Sequence, residues 1–188
     1  MIQHFGQLLG QRIIQPQEPI VAWRAWRVYH DHTSVRSWWD PLGRVTTAQP
    51  RLGATYPSHG YWPARAATVA TCRAKEGKAG CHGGLARHCT CGIWASKRLE
   101  NLAAHGAAFL WPVGLIGRVD LWGFAWEYEH GFRASIGRIK ECWTGSTTLE
   151  ARVERLAEDY GVPIHPGMPT VAEVPISTDA VLVGHPPV

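Results

Sequence analysis

The sequence predicts an α+β fold: a small, mostly antiparallel sheet, a zinc-stapled loop and two short helices. Three observations carry that expectation. Several short runs alternate apolar and polar residues between Gly and Pro, two windows switch to helical spacing, and cysteines and histidines crowd into one central stretch, "CHGGLARHCTCGIWA" at residues 81–95. A chain of 188 residues with 45% hydrophobic content is expected to build one core. That core is placed in residues 21–160, after an N-terminal extension over 1–20 and before an extended, Pro-rich tail over 161–188.

Residues 21–29, "VAWRAWRVY", read as a strand, and a polar turn leads to a second short strand from Val35 to Trp39. A Gly/Pro-punctuated connection is expected from Pro41 to Pro63. "RAATVATC", residues 65–72, reads as a strand with "GIWA" as its partner. Ser96 then caps a short helix carrying Leu99, Leu102 and Ala103 and ending at Gly106. The clearest hairpin is "GRVDLWGFAWEYEHGFRASIGRI", with Val119, Leu121, Gly123 and Ala125 on one face and a reversal at "EHG". A second helix has a capping box at Thr147 and Glu150. Its apolar stripe is Leu149, Val153, Leu156 and Tyr160, and Gly161 and Pro163 stop it.

A tetrahedral zinc site needs four converging ligands, and Cys72, Cys81, His82, His88, Cys89 and Cys91 lie within one short stretch. Cys89 and Cys91 are two apart, so on an extended backbone both sulfurs face one side and one ion can hold both. Cys72 supplies a third ligand. The glycines of "GKAGCHGG" let the loop turn so that His82 or Cys81 completes the set, and spacing leaves those two open. His88 neighbours Cys89 and points away from it. Four protein ligands close the coordination sphere, so the zinc would be structural. An iron–sulfur cluster or plain reduced thiols are the alternatives.

The segment with Cys89, Cys91, Gly92, Ile93 and Ala95 is followed by the "LWG" strand and then by Glu127, Gly131, Phe132, Arg133 and Ala134. Over residues 20–160 this order resembles a group of uncharacterised small proteins of actinobacteria and their bacteriophages. Their pattern is C-x-C-G-(I/F)-(Y/H/W)-A, then G-x-V-x-L-W-G, then E-x-x-x-G-(F/Y)-R-A. The resemblance supports zinc and favours the set Cys72, His82, Cys89 and Cys91. It implies no activity.

Charge is uneven. Residues 1–110 hold thirteen Lys/Arg against five Asp/Glu, and residues 149–188 hold two against six, within a net +4. Ten tryptophans interleave with arginines in "VAWRAWRVY" and "VRSWWD". A basic face with aromatic rings suits unpaired bases, which makes Arg24, Arg27, Arg36, Trp23 and Trp26 the candidate nucleic-acid-binding set. The same alternation also fits a core strand whose Arg stems cover indole edges.

Catalytic signals are weak. His30 and His32 flank a turn, Glu127, Glu129 and His130 surround the hairpin reversal, Cys142 has no neighbouring base in sequence, and no Walker-type or G-x-G-x-x-G loop occurs. The expectation is a non-catalytic, zinc-stabilised binding module with nucleic acid as the leading ligand class. An adapter or inhibitor that binds a host protein complex is the second reading, and an enzyme whose site forms only in three dimensions is the third. No membrane span and no signal-peptide pattern stand out, and clustered thiols suit a reducing compartment, so a cytoplasmic location is expected.

Overall fold

The computed structural model describes residues 12–30, 50–54, 61–70, 85, 91–104, 114–145 and 151–169. Its framework is the long hairpin: strand β6, Gly114–Glu127, turns at Tyr128–His130 into β7, Gly131–Trp143, and the two pair antiparallel. Tyr128 N–H donates to Gly131 O (2.8 Å) and closes the reversal. Val119, Leu121 and Ala125 face the core as their alternation predicts. Gly123 does not continue the row: its φ of 76° accompanies a register shift between Trp122 and Ala125, where the strand bends.

Strand β2, Ile20–His30, pairs along β6, and β5, Ile93–Ser96, bridges β2 to β7. Because β6 also pairs with β7, the order β6–β2–β5–β7–β6 closes on itself. Closure removes the exposed edges that a small open sheet would carry. Short strands extend the ring: β1, Arg12–Ile14, on β6; β3, Pro50–Ala54, on β2; β4, Thr68–Val69, on β7; and β8, Ile164–His165, parallel to the end of β7. The fold is α+β, with a mostly antiparallel sheet and two helices, as predicted.

The interior collects Ile14, Ile20, Ala22, Trp26, Leu52, Ile93, Leu115, Val119, Leu121, Phe132 and Ile139 from the strands and Trp62 from the connection after β3. Helix α2, Ala151–Tyr160, adds Val153, Leu156 and Tyr160, the predicted stripe. Tyr160 Oη accepts from Leu52 N–H (2.8 Å) and donates to Trp62 O (2.9 Å), tying the helix to β3. The helix ends where expected: Gly161 has φ 64°, and its N–H and that of Val162 both reach Ala157 O. Arg65 donates to Glu158 O and Asp159 O, satisfying carbonyls of the last turn. Helix α1, Leu99–Ala104, lies on the outer face, where Leu99 and Leu102 pack on Trp23, Ala25, Ile116 and Trp143.

Several expectations change. Ser96 does not cap α1; it is the last residue of β5, opposite both Trp23 and Gly131. "GIWA" and "RAATVATC" are not partners, since β5 and β4 sit one after the other along the same side of β7. The connection from Pro41 to Pro63 contains a short strand, β3, which places Leu52 in the core and is too short for a sequence period to show. Both domain boundaries move outward. Ile14 in β1 and Ile164 in β8 belong to the core, so neither the segment before residue 21 nor the one after residue 160 is a mere extension. The predicted strand Val35–Trp39 and the capping box Thr147/Glu150 lie outside the described residues.

Candidate nucleic-acid interface and the metal loop

Strand β2 sends alternate side chains to the two faces of the wall. Ala22, Arg24 and Trp26 point into the barrel; Trp23, Ala25 and Arg27 point outward. Trp26 is 0% exposed and meets Trp62 edge-on at 5.5 Å between centroids. Trp23 is 4% exposed and tilts against Trp143 at 5.6 Å, with α1 packed on the same cluster. Neither indole presents a stacking face, and Arg24 and Arg27 stand on opposite sides of the wall. The predicted set of Trp23, Trp26, Arg24 and Arg27 is therefore not one surface, because a barrel strand can be covered on both faces. Arg36 lies outside the described residues.

One member of that set does reach solvent among other suitable groups. Arg27 is exposed and lies opposite Gly53 of β3; Arg51, also exposed, lies opposite Tyr29 two positions further along, on the same face. Tyr61 bridges to Gly53 and is 53% exposed, with the Arg51 guanidinium 5.8 Å from its ring centroid. Leu52, between them in sequence, points inward and anchors the strand through the Tyr160 bond. Two arginines and an accessible aromatic ring thus share one outward patch on a pinned two-stranded arm. Arg51 and Tyr61 escaped the sequence reading because they lie in a stretch punctuated by Gly and Pro. The one available signal was "RLG" followed by an aromatic pair, "YW".

Of the metal candidates, Cys72, Cys81, His82, His88 and Cys89 lie outside the described residues. Cys91 is buried, at the entrance to β5. Among the described residues no group of three or more His, Cys, Asp or Glu side chains is placed to hold a metal. The surroundings of Cys91 are well defined. Gly92 has φ 116°, and a Cβ there would meet Arg133 Cγ at 2.7 Å and Leu85 Cδ2 at 3.0 Å. Leu85 is buried, and its carbonyl accepts the Trp126 Nε1–H (2.6 Å). Leu85 and Cys91, the described residues nearest the predicted ligands in sequence, are both buried.

Arg133 lies directly against Gly92. It is 1% exposed, with its guanidinium 5.5 Å from the Trp94 ring and 5.8 Å from the Trp126 ring. Trp94 in turn stacks on Tyr128 at 5.3 Å, and Tyr128 hydrogen-bonds Arg133. Burial raises the Tyr128 phenol, partly opposed by the Arg133 charge and that bond. The two parts of the resemblance pattern meet here, since Ile93 pairs with Ala134, Trp94 with Arg133, Ala95 with Phe132 and Ser96 with Gly131. Gly131 is required by contact, as a Cβ would lie 2.4 Å from Ala95 O.

The remaining polar candidates are otherwise engaged. Glu127 pairs with Arg12 and, at 2.8 Å, with Lys97. Burial pushes its carboxyl up, but the hydrogen bonds and charges of Lys97 and Arg12 more than offset this and hold it below the ordinary value. Glu129 and His130 are exposed at the turn, 3.6 Å apart. Cys142 is buried in the core, where desolvation first and then Glu141 push its thiol up, so it stays a neutral SH. His32 and the His30 side chain lie outside the described residues.

No family model, curated protein or solved structure matches the chain.

Proposed function

We propose that the protein is a non-catalytic nucleic-acid-binding module whose central loop is stapled by a structural zinc on Cys72, His82, Cys89 and Cys91. The observation that carries the ligand class is the exposed Arg27–Arg51–Tyr61 patch. A ring accessible for base stacking stands beside two guanidinium groups that can meet phosphates, on the strongly basic part of the chain. An accessible aromatic face selects unpaired bases, so single strands are the preferred ligand. The zinc part is supported by the ligand spacing, by the resemblance, and by the docking of Leu85 and Cys91 on the barrel wall. Among the described residues no helix is long and apolar enough to cross a membrane. The clustering of cysteines in one central stretch suits a reducing compartment and so action in the cytoplasm.

The test is binding of a labelled single-stranded oligonucleotide across a salt series. The native protein is expected to show affinity falling with log salt at roughly 0.7 per phosphate contact. Changing Arg27 and Arg51 together to Glu is expected to flatten that slope without altering the unfolding midpoint. Tyr61→Ala is expected to weaken binding at every salt concentration alike, since stacking releases no counterions. An unmodified protein that binds no oligonucleotide at low salt, yet retains a host protein in a salt-tolerant way, would overturn the reading in favour of the adapter.

A further inference from the structure

Val69 and Phe124 are large apolar side chains on the surface, 63% and 50% exposed. The register brings them to one place. Val69 of β4 lies opposite Ile136 of β7, and Ile136 lies opposite Trp122 of β6, so the three side chains form one lateral row on the outward face. The bulge after Trp122 adds Phe124 beside the row, where its N–H donates to Ser135 Oγ (3.0 Å). Gly123 leaves room for this arrangement, since Ile136 Cδ1 lies 3.5 Å from the place a Cβ would take there. Ile136 and Trp122 are themselves only half-buried.

Strand β4 also ends the sheet, pairing with β7 alone among the described strands. Thr68 faces Gly137, and Ala70 N–H donates to Ser135 O (2.7 Å), so the backbone groups of Thr68 and Ala70 are directed at β7. Antiparallel geometry then turns the N–H and C=O of Val69 the other way, toward the edge. An edge residue with those two groups outward and its side chain exposed is a template for one more strand.

Charge decides what that strand carries. Next to Ile136 on the outward face, Arg138 and Lys140 approach a single carboxylate, Asp120, at 3.9 and 3.5 Å, with their side chains 62% and 44% exposed. Asp120 itself is buried, which leaves the rim of the apolar row cationic. We propose that the β4 edge takes an extended peptide of a partner protein, added antiparallel to β4, with an apolar residue opposite Val69 and an acidic residue two positions further on, toward Arg138. Side chains two apart on a strand share a face, so both residues meet the outward side. Main-chain bonds to Val69 hold the strand, the Val69, Ile136 and Phe124 surface receives its apolar residue, and Arg138 selects the acid. This site is separate from the Arg27–Arg51–Tyr61 patch and does not rest on the nucleic-acid reading.

The test uses the full chain and a labelled, end-capped octapeptide that alternates valine with threonine and carries aspartate in place of its third valine. A second peptide has lysine at that place, and a third is the aspartate peptide with N-methylated amides on its bonding edge. Fluorescence anisotropy is expected to show saturable binding of the aspartate peptide, binding about tenfold weaker for the lysine peptide with a gap that closes as salt rises, and none for the N-methylated one. Val69→Lys and Phe124→Ser, both at exposed positions, are expected to keep the unfolding midpoint and to lose the binding. Arg138→Glu is expected to invert the preference, so that the lysine peptide binds better than the aspartate peptide. A native protein that binds no peptide, that binds the aspartate and lysine peptides equally, or that binds the N-methylated peptide as well as its parent would overturn the proposal. So would a concentration-dependent dimer in sedimentation that Val69→Lys abolishes, since the edge would then belong to a second copy of the chain.

Discussion

Arg133 is buried and Arg24 part-buried on the same sheet, and their surroundings differ. Arg133 lies on the outer face, between the rings of Trp94 and Trp126, bonded to Tyr128 and roofed by Gly92 and Leu85. Arg24 lies inside the barrel beside one ring and bonded to one carbonyl. Where a guanidinium is met by preorganised aromatic faces, burial strengthens its attraction to them. Where it is not, burial mainly costs solvation. Arg133 therefore reads as part of what holds the fold together, and Arg24 as a cost that the rest of the fold offsets.

The largest effect that would separate the two regions is removal of the metal. If zinc staples the loop that roofs Arg133, a strong chelator is expected to destabilise the Arg133 side first. Apparent binding free energies for structural zinc reach on the order of 10 kcal/mol, comparable to the whole stability of a domain. The measurement is tryptophan emission against stoichiometric metal release, with Trp126 reporting through its bond to Leu85. Cys91→Ser is expected to reproduce the loss. Cys142→Ser, at a neutral core thiol, is expected to be mild. Equal effects for the two cysteines would break the distinction between a ligand and a core residue.

The next effects have opposite signs at the two arginines. Arg133→Met removes two desolvated cation–π contacts and a hydrogen bond, an expected loss of about 3 kcal/mol in denaturant unfolding. Gly92→Ala acts on the same place from above, and with φ 116° and a 2.7 Å approach to Arg133 Cγ it is expected to cost a similar amount. Arg24→Met removes a desolvated cation that no carboxylate among the described residues pairs with, and loses one hydrogen bond to Trp94 O. It is expected to leave the protein about 1–2 kcal/mol more stable. The lowered guanidinium still titrates well above neutral pH, so this cost is fully present at pH 7. A destabilised Arg24→Met would erase the contrast.

The same contrast shows what the sequence could and could not reveal. The long hairpin was legible because Val119, Leu121 and Ala125 alternate with outward residues up to a Gly-containing reversal. The second helix was legible from Val153, Leu156 and Tyr160. Strand β2 could be recognised as a strand, but the fate of its side chains could not. Period two assigns Trp23 and Trp26 to opposite faces without saying that α1 covers one and the barrel interior encloses the other. Which arginine is buried is likewise decided by distant partners: Trp62 for Arg24, and Trp94 with Trp126 for Arg133. Short strands such as β3 and β8 place Leu52 and Ile164 in the core, but they are below the length at which a period can be counted.

The smallest effect distinguishes the two ends of the sheet by pH. Glu127 sits next to Trp126 and joins Arg12 of β1 and Lys97, just after β5, to the Arg133 end. Its folded value lies below the ordinary 4.5, so it binds its proton more weakly in the native state than in the unfolded chain. Its contribution is therefore complete above the ordinary value and is lost as pH falls through the depressed folded one. The pair with Lys97 is partly open to solvent, which keeps the expected loss under about 1 kcal/mol and makes it sensitive to salt. Glu127→Gln should remove this part of the acid dependence while leaving the neutral-pH stability of the Arg24 interior almost unchanged. Amide exchange of β1 is the direct readout: among the described residues β1 pairs with Ala125–Glu127 of β6 alone, so its protection should drop in acid before that of β2 around Arg24. Simultaneous loss at both places would mean that the sheet opens as one unit and that the two arginines do not belong to separable regions.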